Sequence, residues 1–272
     1  MKSAMKGAMN MMMKALRDVL VVLTTTIAFT VPAHAGRNCE AKAPDAIAVQ
    51  RGMDLAQRTA LALDATGAQV VVLARAGRNL SKYQLRWSHM AFAYKDGDTW
   101  RVMHKLNQCA TARADLFRQG LGEFFMDDPY QYIAAIAVLA PEVQAHLLPL
   151  LQDNARVAQL HEPAYSMVAY PWALTYQQSN QWALETLAWA QEPSADNRER
   201  AQAWLRFKGY EPTTLNLSAF TRLGARIGTA NVAFDDHPNE KRFSDRIETV
   251  TVDSVFAWLQ RSGLGQAAQV VR

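Results

Sequence analysis

Three side chains in this sequence are of the types that carry out acyl transfer when they meet: His89 in Trp87-Ser88-His89-Met90, His104 in Val102-Met103-His104-Lys105, and Ser179 in Gln177-Gln178-Ser179-Asn180. A hydroxyl has little nucleophilicity without an adjacent base, and an imidazole base needs a second polar group to fix its tautomer. Ser179 would be the nucleophile, His89 the base and His104 its orienter. The two histidines would equally suit a metal ion if a further His, Cys or carboxylate joined them. The alternatives without chemistry are a pair of half-buried strand histidines and a serine that caps a helix.

The spacing says how these residues are held. His89–Tyr94 and Thr99–His104 flank Lys95-Asp96-Gly97-Asp98 and read as a β-hairpin. With Asp96-Gly97 as the turn centre the register is symmetric, and His89 and His104 face each other directly, with Cβ atoms about 4.5–5.5 Å apart. In Thr175–Trp189 the residues Trp182, Leu184, Leu187, Ala188 and Trp189 recur at helical spacing, so a helix opens near Ser179. Its N-terminus would have to meet the hairpin.

The remaining elements follow the same signals. A helix is expected over Ala43–Leu63, closed by Gly67, and a β-branched strand over Val70–Ala74. Helical patterns are expected over Ala110–Gln119, around Asp128–Leu139, in Pro141–His161 and in Ala195–Gly209. Thr229–Phe234 and Ile247–Val252 read as strands, and Asp253 or Ser254 caps a last helix through Gln260. Strands before and after a helical middle indicate an α+β fold with an antiparallel sheet.

Lys2, Lys6, Lys14 and Arg17 precede the largely apolar Leu20–Val31 and the cleavage pattern Ala33-His34-Ala35. This reads as a signal peptide, residues 1–35, cleaved after Ala35 to release a periplasmic or secreted protein. The apolar run is shorter than the roughly 20 residues that span a bilayer, and no stable span is expected after cleavage. Residues 36–272 are read as a single domain. The leader carries four of the 29 basic residues and one of the 25 acidic ones, which leaves the remainder at +1. No basic stripe with interleaved aromatics remains, so nucleic acid is not an expected partner.

Cys39 and Cys109 are the two cysteines, and in an oxidising compartment they are expected to form a disulfide. His146 and His161 fall in a helical stretch, and His237 lies in the turn-like Asp235-Asp236-His237-Pro238. No H-E-x-x-H, paired C-x-x-C, phosphate-binding glycine loop or G-x-S-x-G elbow occurs, so no metal or other cofactor is expected.

The stretches "LSKYQLRWSHMAFAY", "VMHKLNQCATARADLFRQGLGEFF", "QSNQWALETLA" and "TVTVDSVFAWL" resemble a family of exported bacterial proteins with a domain of unknown function. More distantly, a strand opening on Ser-His, a second strand ending in His, and a later helix opened by a polar residue resemble the circularly permuted papain-like fold. NlpC-type peptidases and lecithin retinol acyltransferase-like proteins have that fold. The resemblance implies His89 as base, His104 as third polar group and Ser179 as nucleophile, with Asn180 its neighbouring candidate. The family places a cysteine where this chain has serine. The expected functions are therefore a hydrolase or acyltransferase on amide or ester bonds, acting on a small-molecule substrate, or a non-catalytic envelope protein that binds a peptide, glycan or lipid in the same cleft.

Overall fold

The computed structural model describes residues 45–126 and 129–272. The leader and Cys39 lie outside the described residues. Helix α1, Ala46–Thr66, buries Gly52, Leu55, Ala56, Thr59 and Leu63, a stripe at helical spacing, and Gly67 ends it in the left-handed conformation at φ 66°. Five strands follow: β1 (Val70–Ala76), β2 (His89–Asp96), β3 (Thr99–Asn107), β4 (Ala114–Gly120) and, after the short helix α2 (Leu121–Phe125), β5 (Gln131–Val138). Next come α3 (Pro141–Gln152), α4 (Asn154–Ala158), α5 (Ser179–Gln191), α6 (Arg198–Phe207), β6 (Thr213–Asn216) and α7 (Ala219–Gly228). The chain closes with α8 (Asn239–Phe243), β7 (Arg246–Thr249), α9 (Val252–Arg261) and β8 (Gln269–Val271).

The main sheet has the order β4-β3-β2-β1-β5-β8, and its neighbours are antiparallel. It is covered on both faces. On one face Leu73, Ala91, Ala93, Val102 and Ile136 pack against α1 and α2 through Leu55, Leu63, Phe124 and Phe125. On the other, Val72, Met90, Phe92, Tyr94 and Met103 pack against Val143 and Leu147 of α3, Trp182 and Leu184 of α5, Leu205 of α6 and Trp258 of α9. Double coverage explains why every residue of β1 is buried and its sequence does not alternate. The paired strands β6 and β7 hold a smaller cluster of Leu215, Leu217, Phe234 and Ile247.

The antiparallel sheet and mixed α and β content agree with the expected fold class. Several local expectations are corrected. Ala110–Gln119 is not helical: it contains β4, an edge strand whose Asp115, Phe117 and Arg118 are exposed. The segment around Asp128–Leu139 contains β5, where Ala134, Ala135 and Ala137 are fully buried. Alanine favours a helix in isolation, but here small side chains let α1 approach a central strand closely. Thr229–Phe234 forms no strand; the amphipathic segment just before it is α7 instead. The last long helix is capped by Thr251, which exchanges hydrogen bonds with Ser254 in a capping box. Asp253 instead turns its carboxylate toward the N–H groups of Arg86 and Trp87.

Pairing between β2 and β3 runs only from Asp96↔Thr99 to Phe92↔Met103. Yet β2 continues along β1 as far as Arg75↔His89, and β3 along β4 as far as Asn107↔Ala114. The sheet therefore forks beyond Phe92 and Met103. His89 stands on one arm and His104 on the other.

Candidate functional site

The hairpin turn is one residue further along than expected. Asp96 pairs with Thr99, so Gly97 and Asp98 are the central residues, and Gly97 takes φ 60° while Asp98 does not have positive φ. Glycine at the first central position is the II′ pattern. Moving the turn by one residue moves the register by two, and His104 no longer falls opposite His89. A two-residue shift keeps both side chains on the same face of the pleat. The predicted direct pair thus becomes a diagonal one across the fork, and the rings still meet: His89 Nε2 is 2.9 Å from His104 Nδ1, with ring centroids 5.2 Å apart.

Hydrogen-bond accounting orients this pair. Gln119 of β4 donates from Nε2 to Glu123 at 2.9 Å, so its Oε1 is the atom 2.7 Å from His104 Nε2. That assigns the proton of His104 to Nε2. His104 Nδ1 must then accept, and the donor is His89 Nε2–H. When both rings are neutral, the lone pair of the file is on His89 Nδ1, which has no hydrogen-bond partner among the described residues. The file runs from the exposed Glu123 through Gln119 and the fully buried His104 to His89, which is 9% exposed.

Both histidines pack on Phe124 of α2, with ring centroids 5.9 Å and 5.3 Å away. The close packing of α1 and α2 holds α2 in place: a Cβ on Gly52 would lie 3.1 Å from the carbonyl oxygen of Phe125. Arg75, opposite His89 in the β1 register, donates to the carbonyl of Phe124 and sets its guanidinium 4.7 Å from the Phe124 ring centroid. Burial pushes the His89 imidazolium well below the ordinary histidine range, and the Arg75 charge and His104 add to it. Burial, with Arg75, brings His104 down to about 3, against the opposing effect of its bond to Gln119. Both rings are neutral at neutral pH, the state in which an imidazole accepts a proton.

Ser179 does not join them. Residues 89, 91 and 93 of β2 face α1 and α2, whereas Met90 and Phe92 face α5, whose Trp182 ring stands 6.3 Å from Phe92. The helix that Ser179 opens is therefore on the opposite side of the sheet from the histidine rings. Ser179 is buried at the opening of α5 beside the buried Tyr165, whose phenol is shifted upward by burial against the opposing effect of Ser179. Nor is Ser179 the cap: Gln178 is, with Oε1 accepting from the Asn180 N–H at 3.1 Å. Gln178 Nε2 also reaches Thr249 Oγ1 at 3.0 Å and the Val250 carbonyl.

Asn180 fills the fork. Its Oδ1 accepts from the N–H of Met90 at 3.0 Å, a backbone donor that β3 would otherwise satisfy, and its Nδ2 donates to the Val250 carbonyl at 3.3 Å. Beside it, the fully buried Lys105 donates to the Glu162 carbonyl at 2.6 Å and to Gln177 Oε1 at 2.8 Å. Gln177 Nε2 passes the chain on to Glu185 Oε2 at 2.5 Å. Glu185 also accepts from Arg198 Nε at 2.9 Å, Gln202 at 2.7 Å and Gln181 at 3.1 Å. Burial, followed by the Arg198 charge, lowers Lys105 to about 7.

Sequence names none of Arg75, Gln119, Glu123 and Phe124: Arg75 lies one residue beyond the expected strand Val70–Ala74, Gln119 in a stretch expected to be helical, and Glu123 and Phe124 where no element is expected. Reading β4 as a strand would have placed Gln119 on the His104 face. Lys105 follows His104 directly, so strand alternation alone puts it on the other side.

His237 bonds through Nδ1 to Asp236 at 2.9 Å and through Nε2 to the Glu248 carbonyl at 2.9 Å, which uses both ring nitrogens. His146 is exposed on α3, and His161 follows α4. Among the described residues no group of three or more His, Cys, Asp or Glu side chains could hold a metal ion, and no helix is long and apolar enough to cross a membrane. Cys109 lies just beyond β3, and no described cysteine is free.

Residues 62–259 match the model of a family described as an uncharacterized protein conserved in bacteria (DUF2145). The match spans the histidine file, the α5 opening and the capping box of α9. The chain belongs to the DUF2145 family. No curated protein and no solved structure matches it. The family description carries no reaction, so the functional reading of this DUF2145 protein rests on its own geometry.

Proposed function

We propose that this is an exported envelope protein, cleaved after Ala35 and held by a Cys39–Cys109 disulfide, with a permuted papain-like scaffold that binds a peptide, glycan or lipid without forming a covalent intermediate. The observation that carries this reading is the burial of Ser179 at the opening of a helix that packs on the side of the sheet away from His89 and His104. A serine nucleophile needs a base within hydrogen-bond reach, and here the nearest helix residues are spent on anchoring. Gln178 caps, Asn180 closes the fork, and Gln177 and Gln181 serve Glu185. What relatives of papain use as a nucleophile position works in this chain as packing.

Labelling of residues 36–272 with a fluorophosphonate probe tests this. The wild-type protein is expected to remain unlabelled, as are Ser179→Ala and His89→Ala. Labelling of the wild type that is lost in both variants would establish the hydrolase or acyltransferase reading in its place.

A second reading is favoured by one specific observation, the direction of the histidine file. With His104 and Gln119 fixing its tautomer, His89 Nδ1 is a positioned base for a water or a ligand hydroxyl. Diethyl pyrocarbonate, which acylates neutral imidazoles, should modify His89 in preference to His104 at pH 6. Equal modification of both, or of neither, would remove His89 as an accessible base.

A further inference from the structure

Helix α7, Ala219–Gly228, is turned inside out. At 3.6 residues per turn, Phe220, Leu223 and Ile227 form one stripe, and they are 88%, 57% and 79% exposed. No residue of the helix is buried. Its attachment is made by the side away from the stripe: Ala225 rests on the Leu215, Leu217, Phe234 and Ile247 cluster, and Arg222 pairs with Asp245 at 2.6 Å. Ser218 caps it through a bond to the Thr221 N–H. The sequence could have turned its large apolar residues onto the cluster below, and the structure instead presents them outward.

Two features decide what covers the stripe. The three side chains together offer on the order of 400 Å² of apolar surface, about half of the roughly 800 Å² per partner that a stable protein interface buries. A second copy of the chain is therefore poorly served by it. Arg226 borders the stripe three residues after Leu223, and the helix carries no acidic residue. An apolar edge with a flanking guanidinium matches the boundary between acyl chains and anionic headgroups.

We propose that α7 docks this protein on an anionic lipid surface, with Phe220, Leu223 and Ile227 entering the acyl boundary and Arg226 meeting lipid phosphates. The export reading bears only on which membrane is met, and the docking does not depend on what the histidine side of the molecule binds. A short helix of this kind gives reversible peripheral association and no span.

The test is cosedimentation of residues 36–272 with vesicles of phosphatidylglycerol and phosphatidylethanolamine, compared with pure phosphatidylcholine. The wild type should partition onto the anionic vesicles, and Phe220→Ser with Ile227→Ser should reduce that by about tenfold or more. Arg226→Glu should weaken binding to the anionic vesicles and leave the small residual binding to phosphatidylcholine unchanged. All of these side chains are exposed, so melting temperatures should stay close to wild type. Absence of wild-type binding, or equal binding by the double variant, overturns the proposal. So does a concentration-dependent dimer that disappears in the double variant, which would assign the stripe to a second copy.

Discussion

Glu185→Gln removes one charge from the most heavily bonded carboxylate among the described residues and leaves the volume of the side chain almost unchanged. Glu185 is 1% exposed and receives hydrogen bonds from Arg198, Gln177, Gln181 and Gln202. An amide has only one acceptor oxygen and turns its NH₂ toward groups that are themselves donors. The variant therefore leaves the Arg198 charge, on a side chain 11% exposed, without its carboxylate, held only by the carbonyls of Ala173, Leu174 and Tyr176. Breaking a buried pair by removing one partner costs about 3–5 kcal/mol, which in a domain of this size lowers the melting temperature by roughly 6–20 °C. Circular dichroism melts of residues 36–272 at pH 7 would measure it. Glu185→Gln combined with Arg198→Met should recover a large part of the loss, since the orphaned charge is then gone. A shift below about 2 °C for the single variant would refute the claim that this network anchors the opening of α5.

Three further outcomes are expected. Ser179→Ala removes a buried hydroxyl beside Tyr165 and should cost about 1 kcal/mol in thermal unfolding; a loss well above about 3 kcal/mol would mean that the hydroxyl anchors the opening of α5. His89 and His104 are held neutral in the folded state, so between pH 6.5 and about 3 the unfolded chain binds more protons and stability falls as the pH drops. Replacing both with Gln should flatten that fall, and an equally steep fall would show that the rings are not the cause. Lys105 is lowered to about 7, so above that pH the unfolded chain again binds more protons, and the wild type gains stability from pH 7 towards pH 10.5. Lys105→Met lacks this gain, and the melting temperature of the variant minus that of the wild type should decrease steadily as the pH is raised.

The hairpin and the α5 helix are legible in the sequence because β-prone runs around an Asp-Gly turn and large apolar residues at helical spacing are both local signals. His89 and His104 were placed together for the same reason, although the turn chemistry put Gly97 rather than Asp96 at the first central position and moved the register by two. Ser179 was placed near them because a linear pattern says which residues open a helix and not which face of the sheet the helix packs on. That choice is set by tertiary packing, through Trp182 on Phe92. Strand β5 was read as a helix because its alanines are small for contact with α1, a requirement that only the assembled layers reveal. Gln119 goes unread with β4 and Glu123 with α2, and with them the half of the file that fixes the tautomers. The Lys105–Gln177–Glu185–Arg198 chain joins four separate segments, and no local period announces it.

The central claim is that His89 and His104 form a neutral file, oriented by Gln119 and on the side of the sheet away from Ser179. Nitrogen-15 NMR of the imidazole rings near pH 6.5 tests it most directly. The account predicts two neutral rings, each protonated at Nε2, with a scalar coupling across the hydrogen bond from His89 Nε2 to His104 Nδ1. A proton on His104 Nδ1, or an imidazolium at either position, would contradict it.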